Sequence, residues 1–286
     1  MNVRDRWAGL REIAVFVAAY LTYFGVRALT EGAVPQAHHN AGLVVDLERE
    51  LGMAVEGQVQ RAVLPHPVLV DAANAVYMYG HWPVIITGGI LLFHYRRRDY
   101  YRLRNAFLIT GLVGLVVFAV FPVAPPRLTD LPLVDTVTSE AEGYRQILPA
   151  SFVNEYAAMP SFHVGWNLLL GIVVYRAVRH WWLRGLAVVG PASMAVAVVV
   201  TANHYILDVV AGAAIVLLAL ALLVHAERRH TARRRPPAAD APHTIPPSLR
   251  LNTERQCGAR PMGTPSRHES LLLVETTSRT EREQQR

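Results

Sequence analysis

Apolar residues run through this chain in long, nearly charge-free stretches rather than in short alternating ones. The stretches 11–29, 68–94, 105–122, 162–178, 185–203 and 205–225 approach or exceed the roughly 20 residues a helix needs to cross a bilayer core. They predict an all-α fold, a six-span transmembrane helical bundle. The first and fourth stretches are nearest the lower length limit. Between the first two, Val44, Leu47, Leu51, Val55, Val59 and Val63 recur at nearly helical spacing, while Asp46, Glu48, Arg49, Glu50 and Glu56 fill the other positions. That pattern predicts one amphipathic helix lying on the outer surface or lidding the bundle. A soluble hairpin helix packed on the loops gives the same pattern. Pro65 and Pro67 end it. Beyond residue 227 the chain turns to Arg, Pro, Thr, Ser and Glu, with one apolar cluster at 271–274, and a disordered cytoplasmic tail is expected there. The expected division is therefore 1–67 (first span and outer helix), 68–226 (membrane core) and 227–286 (tail).

Charge orients this bundle. All 28 Lys and Arg residues are Arg, the formal net charge is +6, and the sequence pI is about 9.8. The arginines cluster beside apolar runs: Arg4, Arg6 and Arg11; Arg96, Arg97, Arg98, Arg102 and Arg104; Arg176, Arg179 and Arg184; Arg228, Arg229, Arg233, Arg234 and Arg235. With six spans every cluster falls on one side, which the positive-inside rule makes the cytoplasm, with both termini there. Anionic lipid headgroups are a simpler partner for these clusters than nucleic acid. The first run is followed by Arg27, Glu31 and Pro35 rather than by a small-residue cleavage site, so it reads as an uncleaved span in a multi-pass cell-membrane protein. The single Cys257 excludes a disulfide within the chain. No Gly-rich strand-to-helix loop calls for a nucleotide cofactor, and no carboxylate cluster calls for a metal.

Candidate chemistry sits in polar islands at the outer ends of the spans. His204 and Asp208, four residues apart at the start of the last run, stack on one helical face. The carboxylate can then fix one imidazole nitrogen and leave the other basic. An interfacial His beside a helix-capping Asp would have the same spacing. About forty residues earlier, Ala158-Met159-Pro160-Ser161-Phe162-His163 places Ser161 as the N-cap of the fourth run, where free N–H groups and the helix dipole favour an anion. His163, in the first turn, can protonate a leaving oxygen. The earliest island in the chain, Phe121-Pro122-Val123-Ala124-Pro125-Pro126-Arg127, is stiffened by three prolines and carries a guanidinium outside the cytoplasmic clusters; Arg27 and Arg145 are weaker candidates on that side. In the second run Asn74, Tyr77, Tyr79 and His81 are polar at membrane depth, where such groups face the bundle interior. His81 and Asn203 are candidates to support the phosphate pocket.

In this order and topology the islands resemble the type 2 phosphatidic acid phosphatase superfamily, over roughly residues 70–225. The Ala-Met-Pro-Ser-Phe-His and Asn-His-Tyr-x-x-Asp wording resembles its inositolphosphotransferase branch, typified by inositol phosphorylceramide synthases. The resemblance implies a phosphatase/haloperoxidase-like helical core, with His204 as nucleophile, Asp208 as its orienting carboxylate, His163 as general acid, and Ser161 with Arg127 on the phosphate. The broader superfamily carries a Lys and a Ser-Arg pair where this chain has Val120 and Ala197-Val198; the inositolphosphotransferase branch also lacks them. The implied reaction passes through a phosphohistidine to water or to a polyol such as inositol, on a membrane lipid substrate, with no cofactor and no metal. A six-span carrier using the same groups as a proton or anion path, or a silent lipid-binding homologue, are the competing readings. Placement at the ends of spans, on one face, favours the enzyme.

Overall fold

The computed structural model describes residues 3–30, 32–137 and 155–233. They form α1 (Val3–Thr30), α2 (Val34–Glu50), α3 (Glu56–Val63), α4 (Pro67–Tyr79), α5 (Trp82–Tyr95), α6 (Arg97–Val120), a 3-10 turn (Pro126–Leu128), α7 (Phe162–Ala177), α8 (Trp181–Val200) and α9 (Ile206–Arg233). The fold is all-α, as expected; among the described residues the extended pairing is one parallel bridge between Val123 and Ala157. The tail beyond 233, Cys257 and Arg145 lie outside the described residues, as does the Arg27 side chain.

Four helical segments are long and apolar enough to cross a membrane: Trp7–Val26, Arg97–Val120, Trp181–Val200 and Ile206–Ala232. The expected second span is instead a pair, α4 and α5, bent by 48°. Pro83 explains the break, because it sits in the first turn of α5, lacks an N–H and clashes with the carbonyl four residues back. The expected fourth span, α7, has only 16 residues, which rise about 24 Å against a core of about 30 Å. Of the six expected spans, four meet the length and hydropathy of a crossing among the described residues, or five with the bent pair, and the sixth, α7, falls short by length. α7 is short because it is central: it packs against α5, α6, α8 and α9. Leu169, Leu170 and Val173 of α7 form a core with Ile85 and Leu92 of α5, Leu103 and Ala106 of α6, and Val216 and Leu220 of α9. Outward, Leu21 on α1, Val116 on α6, Leu186 and Val189 on α8, and Leu218 and Leu222 on α9 are exposed, an apolar surface suited to lipid.

Two ion-pair sets gather the Arg-rich helix ends. Arg102 holds Glu227 at 2.6 Å, joining the start of α6 to the end of α9. Arg104 holds Glu12 at 2.7 Å, joining α6 to the N-terminal half of α1.

The single amphipathic helix expected between the first two spans is two helices, α2 and α3. They are separated by a turn in which Gly52 takes φ of 68°, a conformation glycine adopts without steric cost. The inward face also differs from the apolar pattern. Val44 is buried, but Leu47 and Leu51 are exposed, whereas Asn40, Glu48, Glu56 and Gln60 are buried. The reason is what these helices cover: irregular backbone, whose N–H and C=O groups need partners. Asn40 donates to the Pro122 carbonyl at 2.8 Å. The Gln60 amide donates to Val134 and Val200 and accepts from the Val134 N–H.

Candidate active site

The three islands are sewn together through their backbones. Val123 donates to Tyr156 and accepts from Ala158, which pairs the first island with the second. Arg127 N–H donates to the Ala202 carbonyl at 2.9 Å, and Ser161 N–H to the Asp208 carbonyl at 3.0 Å, which ties both to the third. The Tyr205 hydroxyl adds a 3.2 Å bond to the Ala124 carbonyl; burial pushes its pKa up, so the phenol stays a neutral donor. Close approach of α7 and α9 requires glycine. A Cβ on Gly212 would overlap the Ser161 carbonyl, and one on Gly165 would lie 2.8 Å from the Gly212 carbonyl.

The third island begins where α8 stops. Ala202 N–H bonds to Val199 and Asn203 N–H to Val198, a Schellman closure whose left-handed position is held by Ala202, φ 55°. This turn sends His204 back over the end of α7. Asp208, in the first turn of α9, accepts from the Tyr205 N–H at 2.9 Å, the reciprocal half of a capping box.

His204 Nδ1 faces two acceptors, the Ala158 carbonyl at 2.8 Å and Asp208 Oδ2 at 3.3 Å. Both can only accept, so Nδ1 carries the proton and, in the neutral ring, Nε2 is bare. The expected His204–Asp208 contact therefore forms, but the second island's backbone makes the shorter bond. Nε2 lies 3.4 Å from His163 Nδ1, so the His163 nitrogen donates to it. His163 in turn is stacked on Tyr77 at 4.8 Å and packed against His81 at 4.4 Å between ring centroids. The Asn167 amide nitrogen lies 3.1 Å from His81 Nδ1; as it can only donate, the His81 proton sits on Nε2. Tyr77 donates to Asn203 Oδ1 at 3.1 Å. His81 and Asn203 are thus brought into the same cluster as His163 and His204.

Ser161 stands at the N-cap of α7, yet its hydroxyl makes no cap bond. Its Oγ and Asp208 Oδ1 are buried polar atoms without a hydrogen-bond partner among the described residues. Arg127 pairs through Nε with Asp135 at 3.5 Å. His81, His163, Asn203, His204 and Arg127 all line one half-open cleft of about 1440 Å³. Its walls are α1 on one side and α5, α6 and α7 on the other, and its far end reaches Glu12, Tyr100 and Arg104. Among the described residues, no group of three or more His, Cys, Asp or Glu is arranged to hold a metal ion.

Two polar residues that the hydrophobic pattern had assigned to solvent lie directly beneath this cluster. Glu48 Oε1 accepts from the Leu207 N–H at 2.7 Å, and Glu56 Oε1 from the Ile206 N–H at 3.0 Å. Burial, aided by the neighbouring Glu56 and Asp208, pushes Glu48 up to about 8. Their signal in the sequence was slight: acidic residues on a helix face whose apolar neighbours are spaced for burial.

A family model described as the PAP2 superfamily matches residues 43–222. The chain is similar to a phosphoinositol dihydroceramide synthase of Bacteroides thetaiotaomicron, with 24% identity over 168 residues, covering 54% of this chain and 55% of that protein. The chain thus spans about half the length of the curated relative it matches. No solved structure matches.

Proposed function

The chain belongs to the PAP2 superfamily, and from that premise we propose that it is an integral membrane phosphotransferase that moves a lipid headgroup phosphate through His204 onto a hydroxyl acceptor. The observation that carries this reading is the pair of rings: a bare His204 Nε2, held by Ala158 and Asp208, facing a protonated His163 Nδ1 at 3.4 Å inside the cleft. A neutral, oriented imidazole nitrogen beside a proton donor is what nucleophilic attack on phosphorus requires.

In the first step His204 Nε2 bonds to phosphorus, the bond from phosphorus to the donor lipid's oxygen breaks, and His163, entering the step as imidazolium, gives that oxygen a proton and becomes neutral. In the second, His163 takes the proton of an acceptor hydroxyl, whose oxygen bonds to phosphorus as the N–P bond breaks. Arg127, Asn203 and the unpartnered Ser161 hydroxyl stabilise the equatorial oxygens. The lipid chains occupy the apolar cleft toward α1.

Charge argues for a diester donor. Among the described residues, Val120 and the buried Ala197-Val198 leave Arg127 as the arginine at this end of the cleft. One guanidinium suits the single charge of a phosphodiester better than the double charge of a monoester. With the similarity to the synthase, this favours transfer of a phosphoinositol-type headgroup to a ceramide-like hydroxyl, with a free polyol or water as the competing acceptors. The Arg-rich helix ends lie opposite the islands, which supports a site on the outer face and termini in the cytoplasm.

The test is to give the purified, detergent-solubilised chain headgroup-labelled phosphatidylinositol with dihydroceramide, with inositol, or with neither. Label on dihydroceramide for wild type, and none for His204→Ala, is the expected result. Release of label as inositol phosphate alone makes the enzyme a hydrolase. Equal turnover by both proteins removes His204 as nucleophile.

A further inference from the structure

The first N–H groups of a helix have no partner within it, and one side chain at the N-cap normally takes one or two of them. At α9, three carboxyl groups from three elements take three successive amides: Asp208 that of Tyr205, Glu56 that of Ile206, and Glu48 that of Leu207. His204 is the residue immediately before this turn. Glu48 and Glu56 are 1% and 6% exposed, a costly environment for a carboxylate, and among the described residues neither is ion-paired with an arginine. A simple cap needs neither two extra acids nor their burial. Asp208 alone, at the third position of its own helix, already supplies the local half of the cap.

We infer that Glu48 and Glu56 are positioning residues for the transfer, two carboxyl groups on α2 and α3 that clamp successive amides in the first turn of α9 and so fix His204 against His163. This rests on the phosphotransferase reading of the site. The clamp has a definite charge state. Burial pushes the Glu48 carboxyl up to about 8, so it keeps its proton through neutral pH beneath the α9 N-terminus. The folded-state pKa lies above the ordinary carboxylate value, so the stabilisation is whole below about 4.5 and is lost as pH rises through about 8. Above that, two adjacent carboxylates face each other and Asp208 across the same turn. The groups that face Glu48 are Glu56 from α3 and Tyr205 and Asp208 from the start of α9; on its own helix Arg49 is engaged by Asp46.

The experiment compares wild type, Glu48→Ala, Glu48→Gln, Glu56→Ala and His204→Ala as full chains in detergent. It measures turnover of headgroup-labelled phosphatidylinositol from pH 6 to 9.5 and, independently of turnover, hydrogen exchange of peptides covering 203–210. Glu48→Ala and Glu56→Ala should lower kcat by ~10- to 100-fold, as a misplacement of about 1 Å does, with little change in KM, and should speed exchange at 206 and 207. Glutamine keeps the acceptor for Leu207, so Glu48→Gln should retain most of the neutral-pH rate while losing the decline above pH 8. If wild type turns over lipid but the alanine variants match it in kcat and exchange, the clamp is overturned. It is equally overturned if Glu48→Gln keeps the alkaline decline, even where the alanine variants fail to fold. If wild type is no more active than His204→Ala, the parent reading fails and the positioning role with it, whatever the exchange data say of the helix end.

Discussion

The two ends of the cleft are both buried and polar, yet they are built differently. At the far end, Glu12 is held by two bonds from Arg104, at 2.7 and 2.9 Å, and by the Tyr100 hydroxyl at 3.0 Å, all from the interiors of straight helices. Every partner the acid needs is present. At the island end the groups come from loops and helix starts, and the set is incomplete: Ser161 Oγ and Asp208 Oδ1 have no partner among the described residues. Buried charge therefore marks structure as readily as function. What separates the two ends is polar capacity left unsatisfied.

That contrast is broken most severely by His163→Asn. It should lower kcat by ~10²- to 10⁴-fold, the usual contribution of a positioned acid and base, with the thermal midpoint unchanged; a large loss of stability would make the island end structural. At the far end the cost should fall on folding instead. Arg104→Met leaves buried Glu12 with the exposed Arg11, 3.6 Å away, as its remaining counter-charge, at a cost approaching ~3–5 kcal/mol, and the double variant with Glu12→Leu should recover most of it in denaturant titrations. If Arg104→Met proves neutral, the far end is wetter than its burial implies. Gly212→Ala tests the seam, since its Cβ meets the Ser161 backbone; a loss of about 1–3 kcal/mol should come with slowed turnover, because α9 carries Asp208. The smallest effect is at Ala202, where glycine would relieve the left-handed strain, worth at most ~1–2 kcal/mol, less the contacts of a buried methyl. Calorimetry of Ala202→Gly should show a small rise in midpoint.

Helix content and the chemistry-bearing islands were legible because both leave local signals: apolar runs of membrane length, and Pro, Ser, His, Asn and Asp at their ends. The number of spans was less so. α4 and α5 read as one run because Pro83 bends a helix without altering its apolar character, and α7 read as a span because burial within protein and burial in lipid select the same residues. The face of α2 and α3 was misread for a related reason. Periodicity assumes that a buried face is apolar, whereas Glu48, Glu56 and Gln60 are buried against backbone amides and carbonyls that a sequence does not display. The Ala158 carbonyl on His204 was invisible for the same cause, since no side-chain pattern encodes a main-chain acceptor from 46 residues away.

The cleft's half-open form, lined by helices with lipid-suited outer faces, bears on kinetics. A substrate that reaches His204 sideways from a leaflet never has to leave the membrane, so the quantity it presents to the enzyme is its mole fraction in the surface rather than its molarity in the tube. For the proposed reaction, diluting the donor with inert lipid at constant bulk concentration should slow turnover, and adding more vesicles of the same composition should not quicken it once every enzyme molecule is embedded.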